Sequence, residues 1–279
     1  MLKIIDTHQH LWDTANLEYS WLDDFDLLEK RYTPQDYRKA IGDLNVVKSV
    51  HVEGDPGETQ VVQEVEWLTD IAEKDGMIGA IAAAAPLEKP NAESILEQLA
   101  AFELVVAVRR MAWHIPDNRF YASPELIAGV KLLPKFNFSF ELCANHAQLP
   151  AAIELVKATP DVRHAMNHCG GPDVKGGEFE PWATYIRELA DFENVHCKVS
   201  GIVTVASENW TPEELKPYIL HLVEAFGYDR LMFGSDWPVC TLAATYREWV
   251  DALLYAVADA SDAEKNRLFY QNALAFYAV

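Results

Sequence analysis

Near its start the chain reads Asp6-Thr7-His8-Gln9-His10, directly after the apolar residues Leu2, Ile4 and Ile5. On an extended strand, residues two apart point to the same side, so His8 and His10 share a face and Asp6 has their parity. Two neutral imidazoles on one face are suited to holding a metal ion. A polar surface strand has the same spacing, so the pair needs partners from elsewhere before it means chemistry. Such partners recur. Glu53-Gly54-Asp55 follows His51-Val52, and Arg109-Arg110 precedes Trp113-His114. Further on come Glu141-Leu142-Cys143, Asn167-His168-Cys169, Lys198-Val199-Ser200 and Gly234-Ser235-Asp236-Trp237-Pro238. Each group closes a short apolar run. Buried charge is costly unless it is paired or metal-bound. One such strand end is a satisfied structural group; six or seven together mark a site.

The elements that must position these residues can be read from hydrophobic periodicity. Apolar runs at 3–8, 46–53, 77–83, 105–110, 136–143, 163–168, 195–200 and 230–235 predict eight strands. Amphipathic stretches separate most of them. Thr33-Pro34-Gln35-Asp36 predicts a helix start with proline in the first turn, and Ser261-Asp262-Ala263-Glu264 a capping box. Eight strands alternating with helices over 279 residues predict a single parallel (β/α)₈ barrel, residues 1–279. In that fold the strand ends listed above converge on one face. No Gly-x-Gly-x-x-Gly follows a strand, which argues against a dinucleotide-binding open sheet. The connection 11–32, rich in Trp, Tyr and Asp, is long for a βα loop and reads as a lid or binding segment.

Composition narrows the partners. The formal net charge is −20, a field that repels nucleic acid and anionic membranes. No run approaches the length of a membrane span, and no export signal precedes Asp6. Four widely spaced cysteines without a Cys-x-x-Cys fit reduced thiols in a cytoplasm. Nothing in the sequence fixes an oligomeric state; a homo-oligomer is left open.

Asp-Thr-His-Gln-His-Leu-Trp, Met-Asn-His-Cys-Gly-Gly-Pro, Lys-Val-Ser-Gly and Leu-Met-Phe-Gly-Ser-Asp-Trp-Pro-Val, in this order, resemble the amidohydrolase superfamily. The resemblance is to its branch of sugar lactonases and 2-pyrone-4,6-dicarboxylate hydrolases. It implies a barrel hydrolase of lactone esters. His8 and His10 match the first-strand metal pair, and His168 the sixth-strand histidine. Asp236 matches the eighth-strand aspartate, which in the family takes a proton from the attacking water and stands among the metal ligands. Two departures bear on the metal. Strand four offers Arg109 and Arg110, which cannot ligate, and Glu141 stands near the place of the fifth-strand histidine. The expectation is therefore one divalent ion, zinc, rather than two, with metal-free operation as the alternative.

The expected reaction is opening of a sugar-acid lactone of the L-fucono, L-rhamnono or galactono type. Asp236 would be the base, with His168 beside it. The two arginines would receive an oxyanion or a carboxylate; adjacent strand residues alternate, so which one faces inward is open. Glu53, His114, Glu141, Lys198 and Ser200 are candidate substrate contacts, and Trp237, with Trp12, Trp21 and Trp113, candidate pocket wall. The alternatives are a 2-pyrone-4,6-dicarboxylate-type hydrolase, a metal-dependent decarboxylase and a non-catalytic binding barrel.

Overall fold

Each of the eight apolar runs becomes a strand. The structure is a computed structural model and describes residues 2–279. The strands are β1 (Ile4–Gln9), β2 (Val46–Val52), β3 (Ile78–Ala84), β4 (Val105–Arg109), β5 (Ser139–Leu142), β6 (His164–Met166), β7 (Val195–Val199) and β8 (Leu231–Phe233). All pair in parallel in the order β1 to β8. A bridge between Gln9 and Trp237 brings the last strand end back to the first. Two backbone bonds of 2.7 Å, Asp236 N–H to the His8 carbonyl and His10 N–H to the Trp237 carbonyl, reinforce that seam. The result is a nearly closed (β/α)₈ barrel.

Eight helices wrap it: α1 (Pro34–Ile41), α2 (Val61–Asp75), α3 (Ala92–Leu99), α4 (Pro124–Val130), α5 (Leu149–Ala158), α6 (Trp182–Ala190), α7 (Pro212–Phe226) and α8 (Tyr246–Ala256). Local chemistry starts several of them. Thr33 and Asp36 form a reciprocal capping box ahead of α1, and Thr245 and Glu248 do the same for α8. Proline opens α1, α4, α5 and α7, where its missing N–H is no loss. The chain ends in two short helices, α9 (Asp262–Asn266) and α10 (Asn272–Tyr277). No helix among the described residues is long and apolar enough to cross a membrane.

The apolar core has two layers. One lies between strands and helices, with Phe140, Val199, Phe233, Trp182 and Trp249 fully buried. The other fills the barrel interior and uses small residues: Ala80, Ala82, Ala107 and Ala165 beside Val50, Val52 and Met232. Alanines alone would leave a void, and voids destabilise. Phe276 and Tyr277 of α10 pack against this layer. The Tyr277 hydroxyl donates to Glu141 Oε1 at 2.6 Å.

One prediction from parity changes here. Asp6 does not share the face of His8 and His10. Its carboxylate accepts the hydroxyls of Tyr37 on α1 and Tyr246 on α8, so it turns to the helix layer. The cause is local: Asp6 Oδ1 accepts the His8 N–H, and the β1–β2 register shifts between Asp6 and Gln9. The same oxygen accepts the Ser235 N–H, so Asp6 helps to hold the turn that carries Asp236.

Candidate active site

Three imidazoles converge on one carboxylate oxygen at the C-terminal end of the barrel. His10 Nε2 lies 3.4 Å from Asp236 Oδ1, His8 Nε2 3.7 Å and His168 Nε2 4.0 Å. The separations exceed ordinary hydrogen bonds, so the four groups surround a point rather than bond to one another. His8 arrives from β1 and His10 from just after it, His168 from the turn after β6 and Asp236 from the turn after β8. Both turns hold side chains at positive φ, 50° for His168 and 59° for Asp236. Such backbone is uncommon outside glycine and gathers at functional sites. Asp236 does not cap a helix; its side chain faces the imidazoles.

Neighbours fix the ring orientations. His10 Nδ1 lies 2.8 Å from the Val52 carbonyl, which makes Nδ1 the protonated nitrogen and leaves the Nε2 lone pair toward Asp236. His168 Nδ1 shares a 3.1 Å hydrogen bond with Ser200 Oγ. Burial, reinforced by the Arg109 charge, lowers the His10 pKa to about 3. Burial lowers that of His168 to about 4 and holds His8 well below its ordinary value. The rings are therefore neutral at pH 7, the form that ligates a metal or polarises a carbonyl. Burial raises the pKa of Asp236.

The donor set fits a divalent cation. Ligand atoms of His8, His10 and Asp236 all lie within 4.8 Å of one another. Both ring nitrogens of His8 are buried with no hydrogen-bond partner, a cost that a bound group at Nε2 would offset. Two imidazoles and a carboxylate are ordinary zinc ligands.

A cavity of about 270 Å³ opens above these groups. His10, His168 and Asp236 line its floor, with Arg109, Asp55 and His114 on its sides. Arg109, not Arg110, faces inward. Its Nε donates to Glu53 Oε1 at 2.5 Å and its Nη2 to the Glu53 carbonyl at 2.7 Å. Arg110 turns away to a two-pronged pair with Glu88, at 2.7 and 2.9 Å. The rest of the wall is largely apolar: Trp21, Phe25, Met111, Trp113, Val205, Val239 and Leu242.

Several residues read from the sequence as substrate contacts do not reach this wall. Glu141 and Lys198 are fully buried inside the barrel, with Lys198 Nζ 2.7 Å from Glu141 Oε2. Glu53 lies behind Arg109, and Ser200 behind His168. Trp237 packs against Tyr32 and Tyr37 rather than the cavity. In each case the residue type was legible, but its partner is distant in the chain. Conversely, Asp55, Phe25 and Leu242 line the cavity without having been singled out. Asp55 lay at a strand end, where position could have found it. Phe25 sits in the long connection 11–32, which folds around Trp12; the Trp12 Nε1–H donates to the Lys30 carbonyl at 2.7 Å.

Gly201 sets the position of His168. Its φ is +62°, and a Cβ there would sit 2.3 Å from His168 Nδ1. Gly201→Ala is expected to push the ring out of line with Asp236 and to cut turnover about 100-fold. The left-handed backbone adds only about 1–2 kcal/mol of destabilisation. Turnover and thermal unfolding of the same sample check this; turnover near the parent's would free His168 from the role.

The family model described as Amidohydrolase matches residues 5–279. An uncharacterised protein of Sinorhizobium fredii is 31% identical, covering 100% of this chain and 99% of that one. An L-fucono-1,5-lactonase of Burkholderia ambifaria is 28% identical over 88% of this chain and 83% of its own. Among solved structures, an amidohydrolase of Burkholderia multivorans with bound zinc superposes with a TM-score of 0.88, at 26% identity and 99% coverage of both chains.

Proposed function

The chain belongs to the amidohydrolase family, and on that premise we propose that it hydrolyses the lactone of a sugar acid. The observation that carries this reading is that the cavity's cation is already engaged by a carboxylate. His10, His168 and Asp236 form the floor, with His8 buried behind them, and the one Lys or Arg of the lining among the described residues, Arg109, is already matched by Glu53. Such a site suits a neutral ester. A dicarboxylate would require cations that are not spoken for, which disfavours the pyrone reading. The lactonase of Burkholderia ambifaria supports the sugar class, and the L-fucono, L-rhamnono and galactono lactones are the proposed substrates.

The chemistry follows from the floor. Asp236 takes a proton from water as its oxygen adds to the lactone carbonyl. The neutral His10 and His168 imidazoles, which line the cavity, face the oxygen on which charge develops. When the ring C–O bond breaks, the leaving alkoxide needs a proton, and the protonated Asp236 can return the one it took. His8, His10 and Asp236, with His168 beside them, would hold a divalent ion, and zinc is our proposal from the zinc-bound neighbour. Such an ion supplies Lewis acidity at the carbonyl and acidifies water. The four buried, free cysteines fit the reducing, cytoplasmic setting we propose.

A pH-indicator assay on a panel of aldonolactones and 2-pyrone-4,6-dicarboxylate, paired with elemental analysis, tests the reading. Acid release from one or more aldonolactones, with about one equivalent of metal and loss of activity on chelation, is expected. Release of carbon dioxide, or inertness toward every aldonolactone, would overturn it. Full activity at less than about a tenth of an equivalent would remove the metal and leave the imidazoles as the polarising groups.

A further inference from the structure

Asp55 stands apart from the other polar groups of the cavity. It lines the wall, yet among the described residues its carboxylate makes no hydrogen bond and no ion pair. Glu53, two residues earlier, is engaged with Arg109. The difference is built into the backbone. Asp55 lies at φ +61°, and its N–H donates to Glu53 Oε2. That turn sends the two carboxylates in different directions, one behind Arg109 and one to the cavity. Aspartate is one of the few side chains that adopt positive φ readily, which lets this turn form.

The rest of the lining makes an unpartnered acceptor meaningful. It is largely apolar, with Trp21, Phe25, Met111, Val239 and Leu242 offering a polyhydroxylated ring contact surface, and beside the floor groups and Asp55 it holds few acceptors, the Thr204 hydroxyl among them. Hydroxyls buried against such a wall lose water and need a replacement. A carboxylate has two oxygens and can accept two neighbouring hydroxyls together. Asp55 follows β2 and Asp236 follows β8, so one end of the substrate can be held while the other reacts.

We propose that Asp55 is the specificity residue of this cavity: it receives ring hydroxyls of the lactone and repels lactones that carry a carboxylate. The proposal rests on the sugar-lactone reading above and goes further by assigning the discrimination to one side chain. Burial, and then the neighbouring Glu53 charge, raises the Asp55 pKa to about 6. It remains an ionised acceptor at pH 7.

Asp55→Asn and Asp55→Gly both tolerate positive φ, so the turn is retained. The test compares each variant with the parent on the best hydroxylated lactone, on a carboxylated aldarolactone, and on δ-valerolactone as substrate or competitive inhibitor. For the hydroxylated lactone, kcat/KM is expected to fall about 10- to 100-fold, through KM rather than kcat. δ-Valerolactone, which has no ring hydroxyls, is expected to be unaffected, and the carboxylated lactone to be handled better than by the parent. Unchanged kinetics on the hydroxylated lactone would overturn the assignment. So would an equal loss on δ-valerolactone, which would make Asp55 a structural or chemical residue instead. A parent that opens no hydroxylated lactone removes the sugar reading and this one together; an active parent with indifferent variants removes only this one.

Discussion

Asp236→Asn is expected to lower lactone turnover about 10²- to 10⁴-fold while the protein stays folded. The substitution removes the proton acceptor and the carboxylate of the proposed metal site, and leaves the fold around it in place. Asparagine is close in shape and tolerates the positive φ that Asp236 adopts. The Asp236 N–H bond to the His8 carbonyl and the Cys240 N–H bond to the Asp236 carbonyl are both backbone bonds and survive. Stability is expected to hold or rise, because a buried carboxylate without a full partner is unfavourable. Turnover and urea midpoint of the purified variant check both halves. Activity within tenfold of the parent would show that another group takes the proton.

The second large effect is on folding. Lys198 and Glu141 look from the sequence like residues of the substrate site, yet both are fully buried in the barrel interior. Lys198 Nζ lies 2.7 Å from Glu141 Oε2 and 5.3 Å from the Tyr277 ring centre. Its contact with Glu141 is close but not aligned as a hydrogen bond. Burial lowers the Lys198 pKa. Glu141 is the hub, since Tyr277 donates to one oxygen and Asn167 to the other, each at 2.6 Å. Lys198→Met keeps the stem but strips the charge, and is expected to cost about 3–5 kcal/mol because a buried carboxylate loses the cation it is paired with. Adding Glu141→Gln removes that stranded charge, and the double variant is expected to regain most of the loss. Urea unfolding of the parent, single and double variants measures it. A single variant within about 1 kcal/mol of the parent would place the pair among ion contacts of little consequence.

The amino-acid sequence on its own determined the frame and the cluster of three histidines and Asp236 that it brings together. Eight apolar runs, their turns and the caps of α1 and α9 are local signals, and each strand formed where its run lies. His8, His10, His168 and Asp236 stood at strand ends, and in a parallel barrel those ends meet on one face, so their convergence followed from the fold.

Only the tertiary structure decided which side each remaining residue takes. Side chains on a strand alternate, so a shift of one residue at a strand end reverses the answer. Asp6 left the His8 face because its carboxylate captured the His8 N–H and two tyrosines from α1 and α8. Arg109 faced inward with Glu53 as its partner, and Arg110 turned away to Glu88. Lys198 was drawn to Glu141 by a charge 57 positions away in the chain. Periodicity reports which residues lie inside; which of them pair, and which are left facing a substrate, depends on partners that only folding brings within reach.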